Sequence, residues 1–221
     1  MNTQQIPMGE MGPLPLPTIR RYPVYLRAIK AKLAGGEMSV SSAVLAEELG
    51  LDPVLARKDL AMAGVPGRPR RGYPAKELSE AINRALGWDS ATDAALIGAG
   101  SLGCALLGYS GFEEQNLSIT AAFDADDLLV GRTIHGVKIR PMDEVHRIIK
   151  QLHIELGILT VPSDAAQECA EYLVDAGIRG IWNFTNCPLN VPKSVTVQNV
   201  DLAQSLAVLS HVISHSRHGK H

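Results

Sequence analysis

Three glycines at fixed spacing form the pattern in this sequence best suited to holding a phosphate. Gly98, Gly100 and Gly103 follow the apolar run ALI and precede another apolar run, giving G-x-G-x-x-G between a predicted strand and a predicted helix. The first glycine permits a tight turn, the second lets the backbone approach a pyrophosphate, and the third lets helix and strand pack closely. N–H groups at the helix start then face the phosphates. The pattern predicts dinucleotide contacts at Gly98, Ala99, Gly100, Ser101, Leu102 and Gly103.

A carboxylate at the end of the next predicted strand indicates which dinucleotide is bound. Asp124 ends the run AAFD, 21 residues after Gly103. At that position a carboxylate accepts hydrogen bonds from the adenosine ribose hydroxyls and repels a 2′-phosphate. The pair therefore favours NAD(H) over NADP(H). The alternative is a tight structural turn with Asp124 as an ordinary surface residue.

Two later strand ends should lie near the nicotinamide. Ligands of open parallel sheets bind beyond the carboxyl ends of the strands. We therefore expect Thr160, Val161 and Pro162 of LTVP, and Asn183 and Phe184 after the following strand, to line this side. A plain helix start at Pro162 and a turn residue at Asn183 are the alternatives.

No residue near these strand ends matches the general acid or base that a dehydrogenase needs. Of the seven histidines, four lie in the terminal helix or tail. His146 lies in a helical stretch, His153 begins a predicted strand, and His135 precedes a glycine in a predicted turn. We therefore predict a bound cofactor that does not react, no metal, and a protein that is not an enzyme.

The first part of the chain has the pattern of a helix-turn-helix. A helix is predicted over residues 22–33, and a second one follows with Ser41 or Ser42 as its cap. The turn LDP leads into a third helix that begins at Pro53 and stops at Gly64. Two short helices joined by three or four residues are typical of this motif.

A basic surface follows from the third helix and the segment after it. GVPGRPRRGYPA has too many glycines and prolines for a helix and predicts a hairpin or wing. Residues 1–87 hold twelve Lys/Arg against eight Asp/Glu, whereas residues 88–221 hold nine against fifteen. A basic recognition helix and wing suit double-stranded DNA, although a solvated charged face is the alternative. The predicted DNA contacts are Ser41, Ser42, Arg57, Lys58, Arg68, Arg70, Arg71 and Tyr73.

The rest of the chain alternates strand-like and helix-like segments, which predicts a parallel sheet with helices on its faces. The fold class is therefore α/β. A final helix carries the apolar stripe Leu202, Leu206, Leu209 and Ile213, which must pack on its own sheet or on a second copy. The predicted organisation is a flexible arm (1–17), a winged helix (18–87), a Rossmann domain (88–200), and a C-terminal helix and tail (201–221).

Composition excludes several other classes. The sequence has no run of 18 apolar residues for a membrane span, and its N-terminus lacks the pattern of a signal peptide. Its three cysteines are widely spaced, which fits neither a disulfide framework nor a zinc site. We expect a cytoplasmic protein without a membrane partner.

Together these motifs resemble the Rex family of redox-sensing transcriptional repressors, from Tyr22 to about Ile213. The resemblance implies an N-terminal winged helix, a C-terminal Rossmann domain that senses the NADH/NAD+ ratio, and a homodimer with a swapped C-terminal helix. The matching segments, in order, are PVYLRAI, SSAVLAEELG, ARKDL, RRGY, LIGAGSLGCAL, AFDAD, LTVP, GIRGIWNF and VPKSVTVQNVDL.

The resemblance also implies a switch, in which NADH favours a closed dimer that no longer fits the operator. Arg27 and Asp201 match the family's arginine and aspartate that pair between subunits in the closed state. The chain departs from the family where Ala61, Met62 and Ala63 replace a serine and an aromatic residue, and in its arginine-rich wing. Both departures fall on the DNA-reading surface.

Two other functions remain open from the sequence. One is a small NAD-dependent oxidoreductase with an incidental basic domain. The other is a CoA-binding Rossmann protein, which shares the glycine turn and a T-V-P-type loop.

Overall fold

The computed structural model describes residues 14–218, which form two compact units that divide after Ser90. The division falls between residues 90 and 91, whereas the sequence placed it between 87 and 88. The predicted arm up to residue 13, the tail from residue 219 and the side chain of Leu202 lie outside the described part.

The N-terminal unit is a winged helix, as predicted. A core of aromatic and aliphatic side chains, including Tyr22, Tyr25 and Ile29 of the first helix, lies between its helices. Its elements are α1 (Leu16–Ala34), β1 (Ser39–Val40), α2 (Ser42–Leu49), α3 (Pro53–Ala61), β2 (Tyr73–Pro74) and α4 (Ala75–Leu86), with β1 antiparallel to β2.

Helix α1 begins at Leu16, so the predictions of an arm to residue 17 and a helix start at Tyr22 were wrong. Pro17 lies in the first turn, where a missing N–H costs nothing. Pro23 lies inside the helix, where it removes one backbone hydrogen bond and its ring crowds the carbonyl of the preceding turn. The buried stripe of α1 starts at Thr18, whose polar side chain gives no hydrophobic signal in the sequence.

The caps of α2 and α3 follow from the local sequence. The Ser41 hydroxyl accepts a hydrogen bond from the N–H of Ala43, and Gly50 ends α2 with a left-handed φ of 63°. The Asp52 carboxylate caps α3 by accepting from the N–H of Leu55. Helix α3 ends at Ala61, three residues before the predicted stop at Gly64.

The C-terminal unit is built on a seven-stranded sheet of order β5-β6-β4-β3-β7-β8-β9. All neighbouring strands are parallel except β5 and β6, which form a hairpin at one edge. The strands are β3 (Thr92–Ile97), β4 (Leu117–Asp124), β5 (Thr133–Ile134), β6 (Val137–Pro141), β7 (Leu156–Leu159), β8 (Gly180–Asn183) and β9 (Thr196–Asn199). The helices are α5 (Ser101–Leu107), α6 (Val145–Leu152), α7 (Ala166–Ala176) and α8 (Leu202–His218).

Alternate side chains of the strands build a separate core on each face of the sheet. Ala95 and Ile97 of β3 pack with α6 and α7, whereas Ala94 and Leu96 pack on the face that α5 covers. The helix predicted after the glycine motif ends at Leu107, and a 3₁₀ helix, Ser110–Gln115, follows it. His153 ends α6 with a φ of 53° and does not begin a strand as predicted.

Helix α8 exposes apolar side chains of its predicted stripe. Leu206 is 63% exposed, Leu209 56% and Ile213 44%. Among the described residues, no helix is both long and apolar enough to cross a membrane.

Candidate functional site

The glycine loop joins β3 to α5 with a geometry that requires glycine at two of its three positions. Gly98 has a φ of +97°, and an added Cβ would lie 2.9 Å from the carbonyl of Thr160. A Cβ on Gly103 would collide with the carbonyl oxygen of Gly98. A Cβ on Gly100 would meet open space instead. Gly100 therefore leaves room for a ligand, while Gly98 and Gly103 allow the backbone to pack.

Asp124 contacts the glycine loop directly. Its Oδ2 accepts a hydrogen bond from the N–H of Ala99 at 2.6 Å. Its Oδ1 accepts from the N–H of Asp126 at 2.8 Å, which fixes the carboxylate at the end of β4. Each oxygen keeps a further lone pair, so the carboxylate can still accept a ribose hydroxyl.

Thr160 holds the loop from the other side. Its hydroxyl lies 2.7 Å from the carbonyl oxygen of Gly98 and 3.1 Å from that of Ile97, within hydrogen-bond reach of both. Its N–H also donates to the Ile97 carbonyl, at 2.9 Å. The end of β7 thus contributes to the same structure as the ends of β3 and β4.

A cavity of about 320 Å³ lies at these three strand ends. Within the loop Ala99 is buried, whereas Ser101 and Leu102 are exposed at the start of α5. Burial, with Glu168 and Asp124 nearby, raises the pKa of the Cys169 thiol to about 11, so this wall of the cavity is uncharged. The lining includes the predicted Gly98, Gly100, Asp124, Thr160, Val161 and Pro162, together with Leu129, Met142 and Cys169, which the sequence analysis missed.

These residues fit an adenosine dinucleotide. The open space over Gly100 suits a pyrophosphate, Asp124 suits a ribose, and Leu129 with Met142 offers apolar surface for a base. Among the described residues, no histidine lines this cavity. Within residues 14–218, no cluster of three His, Cys, Asp or Glu side chains could hold a metal.

Asn183 lies outside this cavity. It is 1% exposed, and its amide nitrogen donates to the Cys187 carbonyl and to Asn199 Oδ1, at 2.9 and 2.8 Å. Its oxygen accepts from the N–H and the hydroxyl of Thr185, at 3.0 and 2.7 Å. Both protons and both lone pairs of the amide are therefore used, and they hold the loop after β8 and Asn199 of β9. Asn183 borders a second cavity of about 260 Å³ that Asp201 also lines.

Phe184 lies on the face of the sheet that α5 covers. Its ring centroid is 4.9 Å from that of Trp182, and Trp182 in turn contacts Phe112. The structure therefore places Phe184 in an aromatic cluster and does not place it among the lining residues of the glycine-loop cavity.

The N-terminal unit contains a basic cleft of about 700 Å³ between α2, α3 and the wing. Lys58 lies on the exposed surface of α3 and is not among the residues that line the cleft. The cleft brings together seven of the eight predicted DNA-contacting residues, namely Ser41, Ser42, Arg57, Arg68, Arg70, Arg71 and Tyr73.

The wing is a tight turn held by its own backbone. Arg68 and Gly72 exchange two hydrogen bonds, of 2.7 and 2.9 Å, with Arg70 at a φ of +61° between them. Gly72 has a φ of +75°, and an added Cβ would collide with the carbonyl oxygen of Val40. The wing arginines are therefore presented from a defined backbone that packs on β1.

Asp59 forms a buried polar cluster that the sequence analysis missed. It is 1% exposed and accepts hydrogen bonds from Thr18, from Tyr25, and from two nitrogens of Arg21. Burial alone would raise the pKa of the Asp59 carboxyl, but the hydrogen bonds from Arg21, Thr18 and Tyr25 hold the pKa below its ordinary value. The only sequence signal was an aspartate at a position of α3 that faces the core.

Arg27 and Asp201 lie in different units, and each is exposed. Arg27 lies on the outer face of α1. Asp201 precedes α8, where its carboxylate accepts a hydrogen bond from the N–H of Ala203 at 2.8 Å. The predicted pairing of these residues between subunits stays a prediction.

The fold and the two sites define a class of proteins. In this class a winged helix with a basic cleft is joined to a Rossmann unit with a dinucleotide-binding site. A family model described as a CoA binding domain matches residues 89–187, and one described as a putative DNA-binding protein N-terminus matches residues 13–61. The chain is 48% identical to a redox-sensing transcriptional repressor Rex of Treponema denticola, over 87% of this chain and 92% of the relative. It is 38% identical to that of Bacteroides thetaiotaomicron, over 93% and 94%. The chain belongs to the Rex family of redox-sensing transcriptional repressors.

Solved structures agree with this assignment. A crystal structure of RSP, a Rex-family repressor, with NAD+ and operator DNA matches with a TM-score of 0.87 and 34% identity, covering 94% of this chain and 95% of that one. The structure of RSP with NADH matches with a TM-score of 0.84 and 33% identity, covering 94% and 97%.

Proposed function

We propose that this protein is a repressor that binds operator DNA, is released when NADH binds, and so senses the NADH/NAD+ ratio. The observation that carries the proposal is the joining, in one chain, of a glycine loop held by Asp124 and a cleft lined by arginines. Relatives named as redox-sensing repressors, and RSP structures with NAD+ and operator DNA and with NADH, support it.

The sensed ligand is NAD(H), held by residues 98–103 and Asp124, with Thr160, Val161 and Pro162 at the end of β7 lining the same cavity. The negative Asp124 disfavours the 2′-phosphate of NADP(H). Asn183 and Phe184 act from outside the cavity, Asn183 by fixing the loop that follows β8. The match to a model described as a CoA binding domain keeps CoA as a second candidate ligand. Thermal stabilisation by NADH and not by CoA would separate the two, because a bound ligand stabilises the fold by mass action.

DNA binding uses α3 as the recognition helix and the wing as a phosphate or minor-groove contact. Arg57 and Lys58 lie on the exposed side of α3, and the remaining predicted contacts line the cleft. The hydroxyl groups of Ser41 and Ser42, at the start of α2, can donate hydrogen bonds to phosphates of the DNA backbone.

The functional molecule is a homodimer in which α8 is swapped onto the partner. The exposure of Leu206, Leu209 and Ile213 supports this, since a contiguous exposed apolar stripe marks a surface that binds another protein chain. NADH then acts by favouring a closed dimer in which Arg27 pairs with Asp201 of the other subunit. A ligand can shift the two states only through its different affinity for each.

The cofactor is sensed and not consumed, so the protein is not an enzyme. The alternative, a small NAD-dependent oxidoreductase, requires NADH turnover with a carbonyl or hydroxy substrate. The cavity lining, as far as the described residues form it, holds no histidine, and this supports the sensor over the oxidoreductase. A repressor must be in the same compartment as its operator DNA. Because the named relatives are bacterial, we place the protein in the cytoplasm.

The experiment that tests the proposal selects duplexes from a random pool and follows binding by fluorescence anisotropy. We expect NADH, at about 1 mM, to release the selected duplex, and NAD+ to leave it bound. Unchanged affinity in NADH would refute the switch. Failure of the wild-type protein to select any duplex would refute DNA binding itself.

A further inference from the structure

The Asp59 cluster connects the recognition helix to α1 through hydrogen bonds from side chains of α1. Both carboxylate oxygens are used: Oδ1 accepts from Thr18 Oγ1 at 2.9 Å and from Arg21 Nη2 at 2.9 Å. Oδ2 accepts from Arg21 Nε at 2.6 Å and from Tyr25 at 3.0 Å. Arg21 thus binds the carboxylate through two parallel hydrogen bonds, which fix direction as well as distance.

The α3 backbone is also held at this residue. The Tyr22 hydroxyl donates to the Asp59 carbonyl oxygen at 3.1 Å. Four residues of one face of α1 therefore converge on a single residue of α3. A cluster of this kind constrains rotation of α3 about its axis, which apolar packing alone constrains much less, because hydrogen bonds are directional.

The opposite side of α3 carries the residues that meet DNA. Asp59 lies two positions after Arg57, which corresponds to about 200° around a helix. Arg57 is exposed and lines the basic cleft, while Asp59 is buried on the other side. By fixing the rotation of α3 about its own axis, the Asp59 carboxylate therefore also fixes the direction in which the Arg57 side chain points.

From this geometry we propose that Asp59 and Arg21 are positioning residues for DNA recognition: they fix α3 on α1 in the orientation that presents Arg57 to the duplex. The inference rests on the proposed DNA-binding function. It concerns neither a direct contact with DNA nor the cofactor site, and it gives roles to residues outside the basic cleft.

A double-mutant cycle between Arg21→Ala and Arg57→Ala tests the proposal with a duplex selected by the wild-type protein. Arg20→Ala is the matched control, because it removes the same charge from the same helix at an exposed position. We expect Arg21→Ala to weaken DNA binding about tenfold or more, with helix content and NADH affinity retained. Arg20→Ala should change the affinity much less.

The cycle separates positioning from a general loss of folded protein. If Arg21 positions Arg57, then Arg57→Ala should cost much less in the Arg21→Ala background than in the wild type. A smaller folded fraction would instead reduce binding by a constant factor, and the two effects would multiply. The proposal would be overturned if the losses of affinity in the two single variants multiply in the double variant. It would also be overturned if Arg21→Ala binds DNA as tightly as Arg20→Ala does.

Milder variants keep the test decisive if Arg21→Ala does not fold. Tyr25→Phe and Thr18→Val each remove one hydrogen bond to Asp59 while keeping the shape of the side chain, and the same cycle with Arg57→Ala applies. Wild-type protein that binds no duplex would overturn the proposed function, and the positioning role with it. If the protein binds DNA but the losses of affinity from the two substitutions simply multiply, only the positioning role would be overturned.

Discussion

The Asp124 carboxylate accepts a hydrogen bond of 2.6 Å from the N–H of Ala99, in the middle of the glycine loop. One side chain thus contacts the loop that would hold the pyrophosphate and also stands where a ribose would bind. Selection of the nucleotide and the conformation of its loop depend on the same group.

Replacing Asp124 by Asn should weaken NADH binding by at least about tenfold. The amide has no charge, and its NH2 group would face the N–H of Ala99 or of Asp126, which now donates to a carboxylate oxygen. NADPH binding should fall less, since the repulsion of its extra phosphate is removed. Isothermal titration of both nucleotides measures the ratio of the two dissociation constants. An unchanged ratio would show that Asp124 does not select the ribose.

Gly100→Val and Gly103→Val should fail in different ways. A side chain at Gly100 meets open space in the protein, so the fold should persist while NADH binding is lost and DNA binding is kept. A side chain at Gly103 collides with the Gly98 carbonyl oxygen and should destabilise the C-terminal unit by a few kcal/mol (about 1–3 or more).

Thermal melting and NADH titration of both variants check this contrast. Normal NADH affinity in a folded Gly100→Val protein would place the dinucleotide elsewhere.

The sequence predicted the parts of the molecule that depend on local patterns. The glycine spacing, the strand before it and the position of Asp124 lie within one βαβ stretch, so their order alone indicates the dinucleotide-binding site. The cap at Ser41 and the start of α3 at Pro53 are local in the same sense.

Contacts between distant residues could not be predicted in this way. Thr18 and Asp59 are 41 positions apart, and the position of a threonine hydroxyl on α1 does not show in a hydrophobic pattern. Asn183 follows a strand as a ligand-binding residue would, but its amide is bound by Thr185, Cys187 and Asn199. Only the packing of the loop after β8 distinguishes these roles.

Arg57→Ala should weaken binding to the selected duplex by about 1–3 kcal/mol and leave NADH affinity unchanged. The loss follows from the place of Arg57 on the exposed side of α3, in the basic cleft. Anisotropy at a single fixed salt concentration measures it, because affinity for DNA depends on salt. Arg84→Ala is the control, since Arg84 is exposed on α4 and does not line the cleft. Equal losses in both variants would mean that only net charge matters.

The stability that Asp59 provides should depend on pH in the acid range. Its carboxyl pKa lies below the ordinary value of 3.8, so the charged form stabilises the fold above that pH. The stability is lost as pH falls from 3.8 through the lower pKa of the folded state. We expect Asp59→Asn to destabilise the N-terminal unit by roughly 3 kcal/mol near neutral pH, where it leaves Arg21 unpaired, and by much less in acid.

Thermal melts of wild type and Asp59→Asn across this pH range measure the difference. A difference that stayed constant into strong acid would contradict the assignment of a charged Asp59.

The most direct test of redox sensing is the dissociation constant of NADH with and without a saturating amount of the selected duplex. Binding free energies are reciprocal, so if NADH weakens DNA binding by a given factor, DNA must weaken NADH binding by the same factor. We predict that saturating duplex raises the dissociation constant of NADH by about 5- to 150-fold and does not raise that of NAD+. Identical dissociation constants of NADH with and without the duplex would contradict the account.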